Sequence, residues 1–167
     1  MALLEILEFP DPRLRTKAKP VTTITGKLVQ LADDMLEIMY AAPGIGLAAS
    51  QINIHQRLVV LDISEAKDQS LVLFNPEIIE ASGEIESDEG CLSVPGFSEP
   101  VIRSSLIQLK AINRDGNEFT LEAEDILAVC IQHELDHLEG RLFVDYLSST
   151  KRQHIRKKML KSQKQRA

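Results

Sequence analysis

Cysteine is scarce in this sequence: 167 residues contain two, Cys91 and Cys130. Two thiols cannot staple a small secreted fold, so a disulfide framework is excluded and both sulfurs are left for metal binding or catalysis. Long hydrophobic runs are also missing. The longest, Ile126 to Ile131, falls far short of the roughly 20 apolar residues that span a bilayer. The opening stretch MALLEILEFP has no basic start and carries Glu5 and Glu8 among its apolar positions. It therefore does not read as a signal peptide, and it is too acidic for a transit peptide. No internal repeat occurs, and no low-complexity block outside the last residues. These absences predict a cytoplasmic, reduced protein. At 44% hydrophobic and 26% charged residues the chain has globular composition, and its length suits a single core.

Positive charge is short over most of the length. There are 25 acids against 19 bases, a formal net charge of −6. Eight of the bases (Lys151, Arg152, Arg156, Lys157, Lys158, Lys161, Lys164 and Arg166) fall in residues 151–167, which hold no acid. The first 150 residues thus carry 11 bases against 25 acids, a body of charge −14 with a tail of charge +8. An acidic body excludes general nucleic-acid binding and specific DNA recognition, although the tail escapes that argument. The chain divides accordingly into a single domain over 1–150 and a basic helical tail over 151–167.

What is present is regular patterning. Pro10, Pro12 and Pro20 predict an extended opening with at most a short helix. Leu28, Leu31, Met35 and Ile38 recur at steps of three and four, predicting an amphipathic helix over 25–41 that stops before Pro43-Gly44. Leu58–Ile63 and Leu71–Phe74 read as buried strands, and Ile78–Ile85 as a hairpin around Ser82-Gly83. Ile107, Leu109 and Ala111, then Phe119, Leu121 and Ala123, alternate on either side of the turn Asp115-Gly116. A helix over about Glu124 to Glu139 is apolar on most faces, hence buried, and Gly140 ends it. A last helix runs from about Ser149 into the basic tail. The fold class is α+β. Mostly antiparallel strands pack around the buried helix, with an amphipathic helix before them and a helix at the C-terminus.

The buried helix carries the chemistry. In His133-Glu134-Leu135-Asp136-His137 the two imidazoles lie one turn apart on one face and can converge on a metal ion, with Glu134 beside them. Two imidazoles and two carboxylates in an apolar helix need partners. A catalytic metal usually has three protein ligands and one open position. Downstream, Glu139, Asp145 and His154 are poorly placed to be the third. Upstream, Cys91 stands in the polar stretch Glu89-Gly90-Cys91-Leu92-Ser93, whereas Cys130 reads as a small hydrophobe inside the helix. The stretch Gly44-Ile45-Gly46-Leu47-Ala48-Ala49-Ser50-Gln51 allows close backbone approach to a ligand but lacks the further Gly or Lys of a phosphate loop.

Taken together, GIGLAASQ (44–51), EGCLS (89–93) and HELDH (133–137) resemble the three motifs of peptide deformylases, in order and at family-like separations, over roughly residues 3–160. The resemblance implies an enzyme that removes the formyl group from the N-terminal formylmethionine of new bacterial polypeptides. It implies Cys91, His133 and His137 as metal ligands, with Fe²⁺ the usual ion and Zn²⁺, Ni²⁺ or Co²⁺ able to replace it in purified protein. It implies Glu134 as the acid/base that activates water, and Gln51 with the Leu92 N–H as oxyanion donors. It also implies that substrate lies along the backbone of Ile45, Gly46 and Gly90. Ile45, Leu127, Val129 and Cys130 are candidates for the methionine pocket. Glu89 is a candidate partner for a ligating His, and Asp136 for Arg103. The implied partners are formylmethionyl peptides and nascent chains. The tail suggests a weak, salt-sensitive contact with the ribosome. Competing readings are a metallopeptidase or other amidase on the same helix, or an inactive metal-binding relative.

Overall fold

The computed structural model describes residues 4–167; Met1 to Leu3, the start of the opening apolar stretch, lie outside them. Seven strands and three α-helices follow in the order α1 (Gly26–Ala41), β1 (Gly46–Ala48), β2 (Leu58–Leu61), β3 (Leu71–Ser82), β4 (Ile85–Cys91), β5 (Val94–Arg103), β6 (Leu106–Ile112), β7 (Glu118–Glu124), α2 (Asp125–Leu138) and α3 (Ser149–Arg166). Short 3-10 turns occupy Pro12–Arg15, Ala49–Ile52 and Phe143–Tyr146. Five strands form one antiparallel sheet in the order β1-β2-β3-β6-β7, and β4-β5 form a separate antiparallel pair. The fold is α+β with antiparallel sheets and three helices. Among the described residues no helix is long and apolar enough to cross a membrane.

The large sheet is covered on both faces at β1, β2 and the start of β3 and on one face at β7, and the period-two alternation of its strands decides which residue goes where. On β2, Leu58 and Val60 point to the cluster that holds Ala32, Met35, Leu36 and Met39 of α1. Val59 and Leu61 point the other way, to Ala128, Ile131 and Leu138 of α2. A strand buried on both sides must be apolar throughout, which is why this one reads Leu-Val-Val-Leu. Thr25 caps α1 by accepting from the Leu28 N–H at 3.3 Å. At the other end of α2 stands Gly140, with φ +78°. A Cβ there would lie 2.5 Å from the Arg15 carbonyl oxygen, so only glycine can make the turn.

One expectation fails. Ser82-Gly83 does not close a hairpin, because β3 pairs with β2 and β6 while β4 pairs only with β5. The alternating Ile107, Leu109 and Ala111 of β6 continue the apolar surface under α2. Strand β4, Ile-Glu-Ser-Asp-Glu-Gly-Cys, offers no such face. The β4-β5 pair is therefore an excursion between two neighbouring strands of the large sheet. Its tip, with the opening segment and α3, is gathered by a third cluster of Leu7, Phe9, Leu14, Val94, Val101, Phe143, Ile155 and Met159.

Candidate metal centre and active site

A cleft of about 650 Å³ opens between the edge of β1 and the tip of the β4-β5 pair. Its floor is α2. The sequence-derived candidates Ile45, Gly46, Gln51, Gly90, Cys91, Leu92, His133 and Glu134 all line it. His137 lies just beneath, fully buried. The Cys91 sulfur is 3.3 Å from His137 Nε2, which is 3.3 Å from His133 Nε2. All three donor atoms fall within 4.8 Å of one another. Among the described residues this is the one group of three such side chains that could hold a metal ion.

The donors fit a cation. His133 Nδ1 is 2.8 Å from Glu89 Oε1, and a carboxylate only accepts, so this nitrogen carries the proton. Its Nε2 then turns a lone pair toward His137 Nε2 and Cys91. Lone pairs facing one another at this distance repel unless a proton or a metal ion lies between them, and imidazole with sulfur is a common donor set for a first-row divalent ion. Burial opposes protonation of His133, but in the metal-free protein hydrogen bonds to Cys91 and Glu89 outweigh it and lift the imidazole above its ordinary value, so that a proton takes the place between Nε2 and Cys91 that a metal ion would fill. Burial, with the positive His133 and Arg103 nearby, holds His137 well below its own.

Behind His133 the charges are matched. Arg103 donates to both oxygens of Glu89 at 2.7 and 2.8 Å, and to Asp136 at 2.6 Å. Burial alone would raise the Glu89 carboxyl; the Arg103 and His133 donors hold it at about 2. Both pairings, His with Glu89 and Asp136 with Arg103, join in one network. In front stands Glu134, with Oε1 buried and unpartnered. Burial, partly offset by the positive His133, pushes its carboxyl up to about 7. Its room comes from the glycine-rich segment: a Cβ on Gly46 would lie 2.5 Å from Glu134 Oε2. Gly44 likewise leaves space for the Leu92 side chain, whose Cδ1 would lie 2.8 Å from such a Cβ. Gln51 is locked from both ends. Its Oε1 accepts from the Ala48 N–H at 2.9 Å, and its Nε2 donates to Ser93 Oγ at 3.0 Å and toward the Cys91 sulfur at 3.5 Å.

Three candidates do not line the open cleft. Leu127 packs into the core between α2 and the large sheet, because six residues before His133 is a different face of the helix. Val129 and Cys130 are buried. The Cys130 sulfur sits 3.8 Å from the Ile45 carbonyl oxygen, behind the cleft wall. Conversely Ile6, Glu8, Pro43, Val94, Pro95 and Phe97 line the cleft without having been singled out. For Ile6 and Glu8 a signal existed: Leu7 and Phe9 alternate with them and point into the core.

An α+β fold with a peptide-sized cleft over a Cys-His-His cluster and an unpartnered buried carboxylate defines a metal-dependent hydrolase. The sequence matches the polypeptide deformylase family over residues 3–153. A peptide deformylase from Cellvibrio japonicus is 61% identical over 165 residues, which is 98% of each chain. The crystal structure of a peptide deformylase from Legionella pneumophila superposes with a TM-score of 0.94 at 47% identity, covering 99% of this chain and 98% of that one. That of the Ehrlichia chaffeensis enzyme, in complex with actinonin, gives 0.93 at 36% identity, covering 97% and 98%. The chain belongs to the polypeptide deformylase family, the hydrolases that remove the formyl group from an N-terminal methionine.

Proposed function

We propose that the deformylation is carried out in the cleft above α2 by a metal ion held on Cys91, His133 and His137, with Glu134 as acid/base. The observation that carries this reading is the convergence of the three donor atoms beside a carboxylate oxygen with no partner of its own. The ion is Fe²⁺ on family resemblance; Zn²⁺, Ni²⁺ and Co²⁺ suit the same donors. When bound, the ion polarises the formyl oxygen and brings the pKa of a water toward neutrality.

The protein's own groups do the rest. A formylmethionyl peptide lies extended along the free edge of β1, bonded to the backbone of Ile45, Gly46 and Gly90, where absent side chains leave room for the chain. Val129 and Cys130 back the wall against which the methionine side chain packs, with Ile45 at its mouth; Leu127 has no part in it. Glu134 takes a proton from the attacking water as its oxygen bonds to the formyl carbon. Gln51 Nε2, through the hydrogen that in the free protein points toward Cys91, and the Leu92 N–H donate to the developing oxyanion, and one such donor is commonly worth about 2.7–4 kcal/mol. Glu134 then gives the proton to the departing amine nitrogen as the C–N bond breaks, releasing formate. The test offers metal-loaded protein formyl-Met-Ala-Ser and acetyl-Met-Ala-Ser. Formate from the first and no turnover of the second is the expected result. Cleavage at an internal peptide bond would mark a peptidase, and no reaction an inactive binder.

Residues 1–150 form the catalytic unit in this reading and 151–167 a basic helical extension, docked through Ile155 and Met159. The setting proposed is the bacterial cytoplasm, where formylated nascent chains emerge. Lys157, Lys158, Lys161 and Lys164 are exposed on α3 and supply a weak contact to ribosomal phosphate. Changing these four to Glu is expected to abolish salt-sensitive co-sedimentation with ribosomes and to spare formate release from short peptides. Unchanged co-sedimentation removes the contact.

A further inference from the structure

The network behind His133 does not stop at Arg103. It ends on Tyr146, in the short turn Phe143–Tyr146 that precedes α3. The Tyr146 hydroxyl donates to Asp136 Oδ2 at 2.8 Å, the same oxygen that accepts from Arg103. The Tyr146 ring also lies against the guanidinium, with Arg103 Cζ 4.8 Å from the ring centroid. The side chains of Arg103 and Glu89 are 5% and 4% exposed, whereas Tyr146 is 49% exposed. The ring is thus an outer wall of the guanidinium pocket. A cation stacked on an aromatic face and shielded from water is held more firmly than an exposed one. Phe143, from the same turn, stacks on the His133 ring itself, with centroids 6.3 Å apart and planes inclined by 28°.

Each link is fixed by the next. Glu89 accepts from His133 Nδ1 and so selects the tautomer that leaves Nε2 free. Arg103 fixes both oxygens of Glu89 in a bidentate grip, which leaves the carboxylate no rotation. Asp136 anchors the third guanidinium nitrogen, and Tyr146 fixes Asp136 by its hydroxyl and Arg103 by its ring. We infer that Tyr146 is a positioning residue for the metal centre, holding His133 through Asp136, Arg103 and Glu89 in the orientation that turns its Nε2 toward Cys91 and His137. This rests on the proposal that those three side chains hold the metal. Partners one step removed from a ligand are typically worth 10–100-fold in metal affinity. Tyr146 acts through several links, yet it supports two of them at once.

The test is metal retention. Zinc-loaded parent, Tyr146→Ala and Tyr146→Phe are mixed with excess chelator well below their unfolding temperatures, and release of zinc is timed. Tyr146→Ala, which loses ring and hydroxyl, is expected to release zinc several-fold faster, up to about the tenfold that a direct partner of a ligand is worth. Tyr146→Phe keeps the ring and is expected to be faster than the parent by a smaller factor. A Tyr146 that served packing alone would lower the melting temperature of the metal-free protein and leave release at the parental rate, and that result overturns the inference. If Tyr146→Ala does not fold, Tyr146→Phe decides by itself, and parental release by it overturns the inference. A parent chain that retains no zinc at all overturns the underlying metal reading instead.

Discussion

The two sides of the His133 imidazole are built on opposite rules. Behind it, every charge has a partner: Glu89, Arg103 and Asp136 exchange four short hydrogen bonds with one another and with His133. In front, Glu134 is as deeply buried as Glu89 but keeps an oxygen with no partner. Two carboxylates on opposite sides of the His133 imidazole therefore have opposite proton affinities in the metal-free protein, one held at about 2 and the other pushed up to about 7. The difference is not burial, which raises both. It is whether donors have been supplied. A carboxylate kept permanently charged orients a neighbour, whereas one left without donors near neutrality can exchange a proton with substrate.

The largest predicted effect separates these roles. Glu134→Gln removes the exchangeable proton site and keeps the shape. Turnover of formyl-Met-Ala-Ser is expected to fall about 10²–10⁴-fold, the usual share of a general acid–base group. Zinc content and melting temperature should hold, because a neutral amide in a site that supplied no donors costs little. Loss of metal together with turnover would mean that Glu134 belongs to the rear network after all. Arg103→Leu is the converse. Removing one member of a buried pair strands the other charge, at a cost of about 3–5 kcal/mol. Chemical denaturation of the metal-free protein should show that loss. A change under about 1 kcal/mol would mean that water already reaches Glu89 and that the rear side is not closed.

The front of this site was more legible in the sequence than the rear. His133 and His137 follow from the helical period alone, and the glycines around Ile45 announce a close approach. The partner at that close approach, Glu134 against Gly46, is 88 positions away and cannot be read locally. The identity of the third donor was undecidable from spacing. Cys91 reaches α2 only because the β4-β5 pair is inserted between β3 and β6, and the misread turn at Ser82-Gly83 hid that insertion. Turn residues say that a chain reverses, not which strand it meets next. Glu89 and Asp136 were candidates because a ligating His donates its other N–H to a carboxylate and a pair with Arg103 would fix the helix. Tyr146 carried no such signal. Its role depends on a stacking contact across 43 residues, and an isolated Tyr before a helix looks like any other surface residue. Strands β2, β6 and β7 were the clearest part of the fold, since β2 is apolar throughout where both faces are covered and β6 and β7 alternate where one face is.

A third buried acid, remote from the metal centre, tests whether donors need to be charged for the rule to hold. Asp62 follows β2 and accepts from the Tyr40 hydroxyl at 2.6 Å, the Ser64 N–H at 2.9 Å and the Gln69 N–H at 3.2 Å, as well as from the Ser64 hydroxyl. Burial alone would raise its carboxyl, but these neutral donors outweigh it and leave it below its ordinary value. A carboxyl lowered by folding binds its proton more readily in the unfolded chain. Its stabilisation is therefore present above the usual carboxylate range and is lost as pH falls through the folded value. Asp62→Asn should cost on the order of 1–2 kcal/mol at pH 7, because hydrogen bonds to a charged acceptor are stronger than those to an amide. It should also flatten the decline in melting temperature below pH 4 while leaving formate release at pH 7 unchanged. A variant with the parental acid limb would show that neutral donors do not hold Asp62 charged. The contrast between Glu89 and Glu134 would then depend on the Arg103 and His133 charges rather than on the supply of donors as such.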